Sequence, residues 1–134
     1  MKIYNAENAI VGRLGSHVAK DLLKGEEVII INSEKAILSG DLDKRVNAIK
    51  KWRAKGLHSQ KGPKVSKMPD RLLKRMISGM LPWSKPRGKA VYKNLKCYIN
   101  NGNLNEEELK KAKKIETKIP LKYTTIKQIS EMLG

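Results

Sequence analysis

Four apolar residues in a row, Val28-Ile29-Ile30-Ile31, constrain the fold more than any other stretch of the chain. A strand with one face in water alternates apolar and polar residues, whereas this run has no polar position, which predicts burial of both faces as in a parallel sheet. Before it, apolar residues recur every four positions from Leu14 to Leu22 and end at Gly25, a pattern typical of an amphipathic helix. With a first strand expected at Lys2 to Asn5, the order strand, helix, strand predicts a right-handed parallel crossover.

Helix start and stop signals divide the rest of the chain. Pro69 is suited to the first position of a helix, and Thr125 with Gln128 matches a capping box. Asn105 is expected to cap a solvent-exposed helix that carries Lys110 to Lys114 in its later turns. The remaining expectations are strands at 36–38 and 97–99, a helix from about 42 to 55, and a short helix that points Ala90, Val91 and Leu95 inward.

The length and the cysteine content suit a single cytoplasmic domain. A chain of 134 residues can bury one core, so residues 1–134 are expected to form one domain. The single Cys97 cannot form an internal disulfide, which fits a reducing compartment. No apolar run approaches the roughly 20 residues of a membrane span, and the first residues lack the apolar core of a signal peptide. We expect no membrane association.

The positive charge of the chain is confined to its middle. Residues 44–96 contain 17 Lys and Arg and one acid, Asp70, a net charge of +16 that equals the net charge of the whole chain. Residues 1–43 carry five bases and seven acids, and residues 97–134 carry seven bases and five acids, so the two ends cancel. Like charges at this density repel one another. A polyanion relieves that repulsion, so the pattern predicts nucleic-acid binding. An anionic membrane surface is the weaker alternative and is not the partner expected here.

RNA is favoured over DNA because the basic block contains a long irregular stretch from Gly56 to Met68, rich in Gly, Pro and Lys, between two basic helices. No helix-turn-helix, zinc or zipper pattern is visible that would read a DNA groove. Trp52 and Trp83 lie in the block, but the sequence indicates no aromatic platform of the kind that reads single-stranded RNA. Binding is therefore expected to depend on the backbone and shape of the RNA.

Other chemistries find little support in the residues. His17 and His58 have no nucleophile or carboxylate assigned to them, and Cys97 lies in a strand where a small core residue is expected. One Cys and two distant His do not match a zinc site, and no pair of carboxylates suggests acid–base catalysis. We expect no catalytic residue, metal, cofactor or small-molecule substrate.

Two interpretations of Gly12-x-x-Gly15 stay open. The glycines can allow tight packing of the helix that follows, or the helix N-terminus with Arg13 can hold one backbone phosphate. The third Gly of a dinucleotide fingerprint and the Gly-Lys-Ser/Thr of a nucleotide-binding loop are both missing. Nucleotide-cofactor binding is therefore not expected there.

Four stretches together resemble a known family, the universal thirteenth ribosomal protein of the large subunit (L-thirteen). The short link between the first helix and Glu27 resembles archaeal and eukaryotic members. The match covers most of residues 2–102 in the family's order and is weakest from Leu104 to Gly134. The stretches are Met76-Ile77-Ser78-Gly79-Met80-Leu81-Pro82, Gly12-Arg13-Leu14-Gly15-Ser16 to Leu23, Val28 to Lys35 with Ser39-Gly40, and Arg87-Gly88-Lys89 through Leu95 to Tyr98.

The resemblance implies an α/β fold: a three-layer α/β/α sandwich around a four-stranded, mainly parallel sheet, with a basic RNA-facing loop. It divides the chain into a family core at 1–103 and a C-terminal helical extension at 104–134. It also implies a non-catalytic constituent of the large ribosomal subunit in the cytoplasm that binds large-subunit ribosomal RNA, contacts neighbouring ribosomal proteins and supports early assembly. A free-standing RNA-binding translational regulator is the alternative.

The candidate RNA-binding residues combine the basic block with the resemblance, which places the turn Gly79-Met80-Leu81-Pro82 beside the RNA-facing surface. The basic and polar candidates are Arg13, Lys50, Lys51, Arg53, Lys55, His58, Gln60, Lys61, Lys64, Lys67, Arg71, Lys74, Arg75, Lys85, Arg87, Lys89 and Lys93.

Overall fold

The structure, a computed structural model, describes residues 2–54, 66–115 and 118–133. Within these residues the helices are α1 (Val11–Leu23), α2 (Leu42–Ala54), α3 (Pro69–Ser78), α4 (Pro86–Tyr92), α5 (Glu106–Lys110) and α6 (Ile126–Leu133). The strands are β1 (Lys2–Asn5), β2 (Val28–Ile31), β3 (Ile37–Ser39), β4 (Leu95–Cys97), β5 (Lys113–Lys114) and β6 (Tyr123–Thr125). A 3₁₀ turn spans Ser33–Lys35.

The central sheet has four strands in the order β4-β2-β1-β5, and every pair is parallel. The apolar run of β2 lies between β1 and β4, with Ile29 opposite Ile3 and Ile30 opposite Cys97. All four residues of β2 are buried. The prediction of a strand covered on both faces is therefore confirmed. The short strands β3 and β6 pair antiparallel in a separate two-stranded sheet.

Alternate residues of the central strands supply two cores, one on each face of the sheet. Tyr4, Val28 and Ile30 belong to the larger core, which they share with apolar residues of α1, α2, α3 and α6. Ile3, Ile29 and Ile31 belong to the smaller core, which is covered by Leu104 and by Leu109 of α5. Helices on both faces of the sheet make the fold a three-layer α/β/α sandwich, as predicted.

Three local signals of the sequence are confirmed. Pro69 occupies the first turn of α3. Gly25 follows the end of α1 with a φ of +88°, which favours glycine. Thr125 and Gln128 form the predicted capping box: the Gln128 N–H donates to Thr125 Oγ1 at 3.2 Å, and the Thr125 N–H donates to Gln128 Oε1 at 3.1 Å.

The structure corrects two element boundaries. Leu95 lies in β4 and not in the preceding helix, Ala90 is exposed, and the strand expected at 97–99 begins two residues earlier. Lys113 and Lys114 are not helical: α5 ends at Lys110, and these two lysines form β5 beside β1. Pairing with β1 provides hydrogen-bond partners for backbone groups of β5, so the strand forms although it has no apolar residues. Charged side chains are common on strands at the edge of a sheet. The C-terminal segment therefore contributes a strand to the central sheet as well as helices.

The buried carboxylate of Asp21 links α1 to β1 through hydrogen bonds and an ion pair. Asp21 accepts hydrogen bonds from the Tyr4 hydroxyl and from Lys2 Nζ, the latter at 3.0 Å, and Lys2 also lies 3.1 Å from Glu26. Burial raises the pKa of Asp21, but the hydrogen bond from Tyr4 and the hydrogen bond and charge of Lys2 outweigh it and leave the pKa below its ordinary value of 3.8. The ionised Asp21 therefore stabilises the fold at neutral pH.

The lowered pKa of Asp21 predicts that the stability of the fold decreases in acid. A carboxyl whose pKa is depressed on folding stabilises fully above its unfolded pKa, and that stability is lost as the pH falls through the folded pKa. We expect the free energy of unfolding of the wild type to decrease as the pH is lowered below about 4. In Asp21→Asn this decrease should be less steep, and the free energy of unfolding should already be lower than that of the wild type at neutral pH. Urea unfolding at neutral and acidic pH measures this. The exposed Asp43→Asn is the control, and a wild-type pH slope in Asp21→Asn would contradict the role.

Candidate nucleic-acid interface

Helix α3 separates its apolar residues from its bases. Leu72, Leu73 and Ile77 are buried in the larger core, and this orientation turns Arg71, Lys74 and Arg75 toward the surface, where the two arginines are exposed and Lys74 is half-buried. Met76 also packs against this core, whereas Met80, just after the helix, is 39% exposed. The three bases of α3 therefore share one surface, opposite the buried apolar residues.

A groove of about 640 Å³ opens beside this surface of α3. We call it the α3 groove. Its lining combines the three bases of α3 with aromatic rings, two serines and a glycine: Trp52, Ser66, Arg71, Lys74, Arg75, Ser78, Gly79, Trp83 and Tyr92. The lining therefore offers positive charge and aromatic surface together, and its described residues include no acid.

Cation–π contacts hold the bases of the α3 groove against its rings. The guanidinium carbon of Arg75 lies 4.5 Å from the ring centroid of Trp52 in α2, and Lys74 Nζ lies 4.8 Å from that of Tyr92 in α4. Trp83 meets Tyr92 edge to face, with centroids 4.9 Å apart and planes at 86°. Such contacts contribute roughly 0.5–1 kcal/mol each at exposed sites. They position three elements of the fold around one groove.

A second, smaller concavity of about 260 Å³ shares two bases of α3 with the α3 groove. Arg71 and Lys74 line both concavities. Lys96 of β4 adds a third positive charge to the second concavity, and Asp70 is its one carboxylate among the described residues. The positive surface therefore continues from the α3 groove toward the edge of the central sheet.

The turn Gly79-Met80-Leu81-Pro82 connects the α3 groove to the core. Gly79 lines the groove, whereas Leu81 is buried. Met80 packs on α1 so closely that a Cβ built on Gly15 would lie 2.6 Å from its Sδ. The turn therefore lies beside the basic surface of α3.

The contact with Met80 bears on the two interpretations of Gly12-x-x-Gly15. Gly15 is buried and has the role of a packing glycine, because a side chain there would displace Met80. Gly12 is exposed, and a Cβ at this position would meet no atom within 4 Å. Arg13 is also exposed at the start of α1, and a phosphate at this helix end stays a prediction.

The other candidate residues fall into three groups. Arg87 is exposed, and its Nη2 donates to the Leu23 carbonyl at 2.7 Å, so it also caps the end of α1. The side chain of Arg53 and the whole of Lys55, His58, Gln60, Lys61 and Lys64 lie outside the described residues. The remaining bases are exposed on α2, just before α3, and on or beside α4: Lys50, Lys51, Lys67, Lys85, Lys89 and Lys93.

The sequence did not reveal the aromatic part of the α3 groove. Trp52, Trp83 and Tyr92 come from three separate segments and meet only in the folded chain. The sequence analysis expected no aromatic platform, and it did not anticipate that these three rings would line one groove. A signal was present in the large aromatic residue Trp52, which stands between Lys51 and Arg53 in a basic helix. Lys96 was likewise not among the candidates.

Reactive groups are scarce in the part of the chain that the structure describes. Cys97 is buried, and burial raises the pKa of its thiol to about 12, so it stays protonated and unreactive at neutral pH. No group of three or more His, Cys, Asp or Glu among the described residues could hold a metal ion. None of the described helices has both the length and the apolar character needed to cross a membrane.

Comparison with known proteins points in one direction. Residues 1–104 match the family described as ribosomal protein L13. A protein of Methanocaldococcus jannaschii named large ribosomal subunit protein uL13 is 38% identical, over 100% of this chain and 98% of its own length. A protein of the same name from Methanopyrus kandleri is 39% identical over 98% of this chain and 86% of its own length. The chain belongs to the ribosomal protein L13 family.

Proposed function

We propose that this chain is a structural, non-catalytic constituent of the large ribosomal subunit that binds large-subunit ribosomal RNA and supports early subunit assembly. The observation that carries the proposal is the surface of α3, where Arg71, Lys74 and Arg75 lie together at a groove whose described residues include no acid. Relatives that match nearly the whole chain bear the name of a large-subunit protein. Neighbouring ribosomal proteins are the other expected partners, and the cytoplasmic large subunit is the expected location.

The bases are proposed to neutralise RNA phosphates. Exposed Lys and Arg that contact phosphates release condensed counterions, so the affinity falls steeply with salt. The bases of α2, α3 and α4 lie on helices whose apolar residues pack in the shared core, which holds the charges in a fixed arrangement. A fixed arrangement favours RNA whose backbone has a matching shape over RNA of a particular sequence.

A salt series tests this proposal. We expect purified protein to bind large-subunit ribosomal RNA and to lose on the order of 10³–10⁵ in affinity between about 50 and 200 mM salt, as is typical of about 6–10 phosphate contacts. An unrelated RNA serves as competitor. A steep slope with preference for ribosomal RNA supports a shaped binding site, whereas no binding at low salt would contradict the proposal.

Co-sedimentation separates this function from its alternative, a free-standing RNA-binding regulator. A structural constituent should remain with large subunits through a high-salt wash, because RNA and neighbouring proteins enclose it. A regulator should be released and recovered with other RNA. Release of the whole population at moderate salt would therefore favour the regulator.

A further inference from the structure

We infer that the α3 groove holds an unpaired nucleobase of the bound RNA, stacked on the exposed indole rings of Trp52 and Trp83, while Arg71, Lys74 and Arg75 contact the flanking phosphates. The inference rests on the proposed function, because it names the part of the RNA that enters this site. It concerns a single-stranded nucleotide and not the face of a paired helix.

The exposure of the two indoles is the first observation. Trp52 is 40% exposed and Trp83 is 46% exposed, and both line the same groove. Large aromatic side chains contribute most when they are covered, so two half-exposed indoles at one concave site indicate a surface that a partner covers. The volume of about 640 Å³ lies within the roughly 300–1,000 Å³ of sites that bind small organic groups.

The cations of the groove select the kind of partner. An apolar peptide would cover the indoles but would leave the three basic side chains of the groove without a counter-charge. The backbone of a paired RNA would neutralise these side chains but would leave the indoles in water, because the nucleobases of a duplex are already stacked on one another. A nucleotide with an unstacked base supplies both an aromatic face and an anion, and aromatic side chains bind such bases in single-stranded RNA.

The contacts already present in the groove are compatible with this occupant. The guanidinium carbon of Arg75 lies 4.5 Å from the ring centroid of Trp52. The N–H donors of a guanidinium group point outward in its plane, where a phosphate accepts them. Ser78 donates its hydroxyl hydrogen to the Arg75 carbonyl at 2.6 Å, which leaves its oxygen as an acceptor in the groove lining. Gly79 has no side chain to obstruct the approach of a base.

Tryptophan fluorescence tests the inference directly, because Trp52 and Trp83 are the two Trp residues of the chain. We expect a single-stranded oligoadenylate of about eight nucleotides to quench the fluorescence of the full chain. A blunt RNA duplex of the same length should bind to the basic side chains of the groove through its phosphates and should cause little quenching. Equal quenching by both RNAs, or binding of the oligoadenylate without quenching, would overturn the inference while leaving the proposed function intact. Absence of binding by both RNAs would contradict the proposed function as well.

Two variants give an independent measurement by anisotropy of labelled RNA. Trp52→Leu and Trp83→Leu should each weaken binding of the oligoadenylate about 5- to 150-fold, the contribution of one stacked base, without changing the salt slope or the affinity for the duplex. Tyr123→Leu is the matched control, since Tyr123 is an aromatic residue of β6 that is 49% exposed and lies outside the groove. Unchanged affinity in both Trp variants would overturn the inference.

Discussion

Replacing Arg71, Lys74 and Arg75 together by Glu is expected to abolish incorporation of the protein into large ribosomal subunits while leaving the domain folded. All three side chains line the α3 groove, so the change converts its positive lining into a negative one. Loss of three charge-assisted contacts at about 1.5–3 kcal/mol each predicts a loss of RNA affinity of at least about 10³-fold. The salt slope should also fall by about three, roughly one for each lost phosphate contact.

The fold should tolerate this change because the three positions face away from the core. Leu72, Leu73 and Ile77 keep their buried contacts, and Glu is as good a helix former as Lys or Arg. A Glu at position 71 lies near the N-terminus of α3, where negative charge is favourable, whereas one at position 75 lies in the last turn and costs about 0.3–1 kcal/mol. Loss of the two cation–π contacts costs roughly 0.5–1 kcal/mol each. Circular dichroism and urea unfolding check that the variant is folded.

A matched charge reversal separates local binding from the general effect of charge. Lys110→Glu, Lys111→Glu and Lys118→Glu in one variant lower the net charge by the same amount at exposed positions of the C-terminal segment. This control should incorporate into subunits, since its lysines lie far along the chain from the basic block and outside the α3 groove. Equal loss of incorporation in both variants would mean that net charge, and not the surface of α3, determines binding.

The elements that could be predicted from the sequence are those whose signals are local. The unbroken apolar run of β2, Pro69 at the start of α3 and the Thr125–Gln128 capping box each follow from backbone geometry or from burial over a few residues. The basic surface of α3 could be predicted for the same reason, because helical periodicity fixes which side chains share a face. These are properties of one segment at a time.

What could not be predicted depends on contacts between segments. Strand β5 consists of two lysines, and no hydrophobic period distinguishes it from the end of a charged helix; its pairing with β1 decides its conformation. The rings of the α3 groove come from α2, α4 and the turn between α3 and α4. Their meeting depends on how these helices pack on the sheet. Periodicity within each segment carries no information about that packing.

Replacing Gly88 by Ala is expected to destabilise the domain more than Gly12→Ala or Gly15→Ala, the corresponding changes in α1. Gly88 is buried in α4, and a Cβ at this position would lie 2.1 Å from the Pro82 carbonyl oxygen and 2.5 Å from its carbon. Both atoms are backbone, so neither can turn aside. Overpacking of this kind typically costs 1–3 kcal/mol, and the backbone obstacle places Gly88→Ala at about 3 kcal/mol or more, a fall in the melting temperature of about 10 °C.

Two other glycines of the fold provide controls for the Gly88→Ala prediction. Gly15→Ala in α1 would meet Met80 Sδ at 2.6 Å, but this atom ends a flexible, partly exposed side chain that can move, so we expect a loss below about 1 kcal/mol. Gly12→Ala meets no atom within 4 Å and should gain up to about 1 kcal/mol from helix propensity. Urea unfolding of the three variants measures this order.

Because the contact between Gly88 and Pro82 also positions Trp83 against Tyr92, Gly88→Ala should weaken binding of single-stranded RNA even where the domain is still folded. Equal stability of Gly88→Ala and Gly12→Ala would show that α4 and the Gly79–Pro82 turn are not in this close contact.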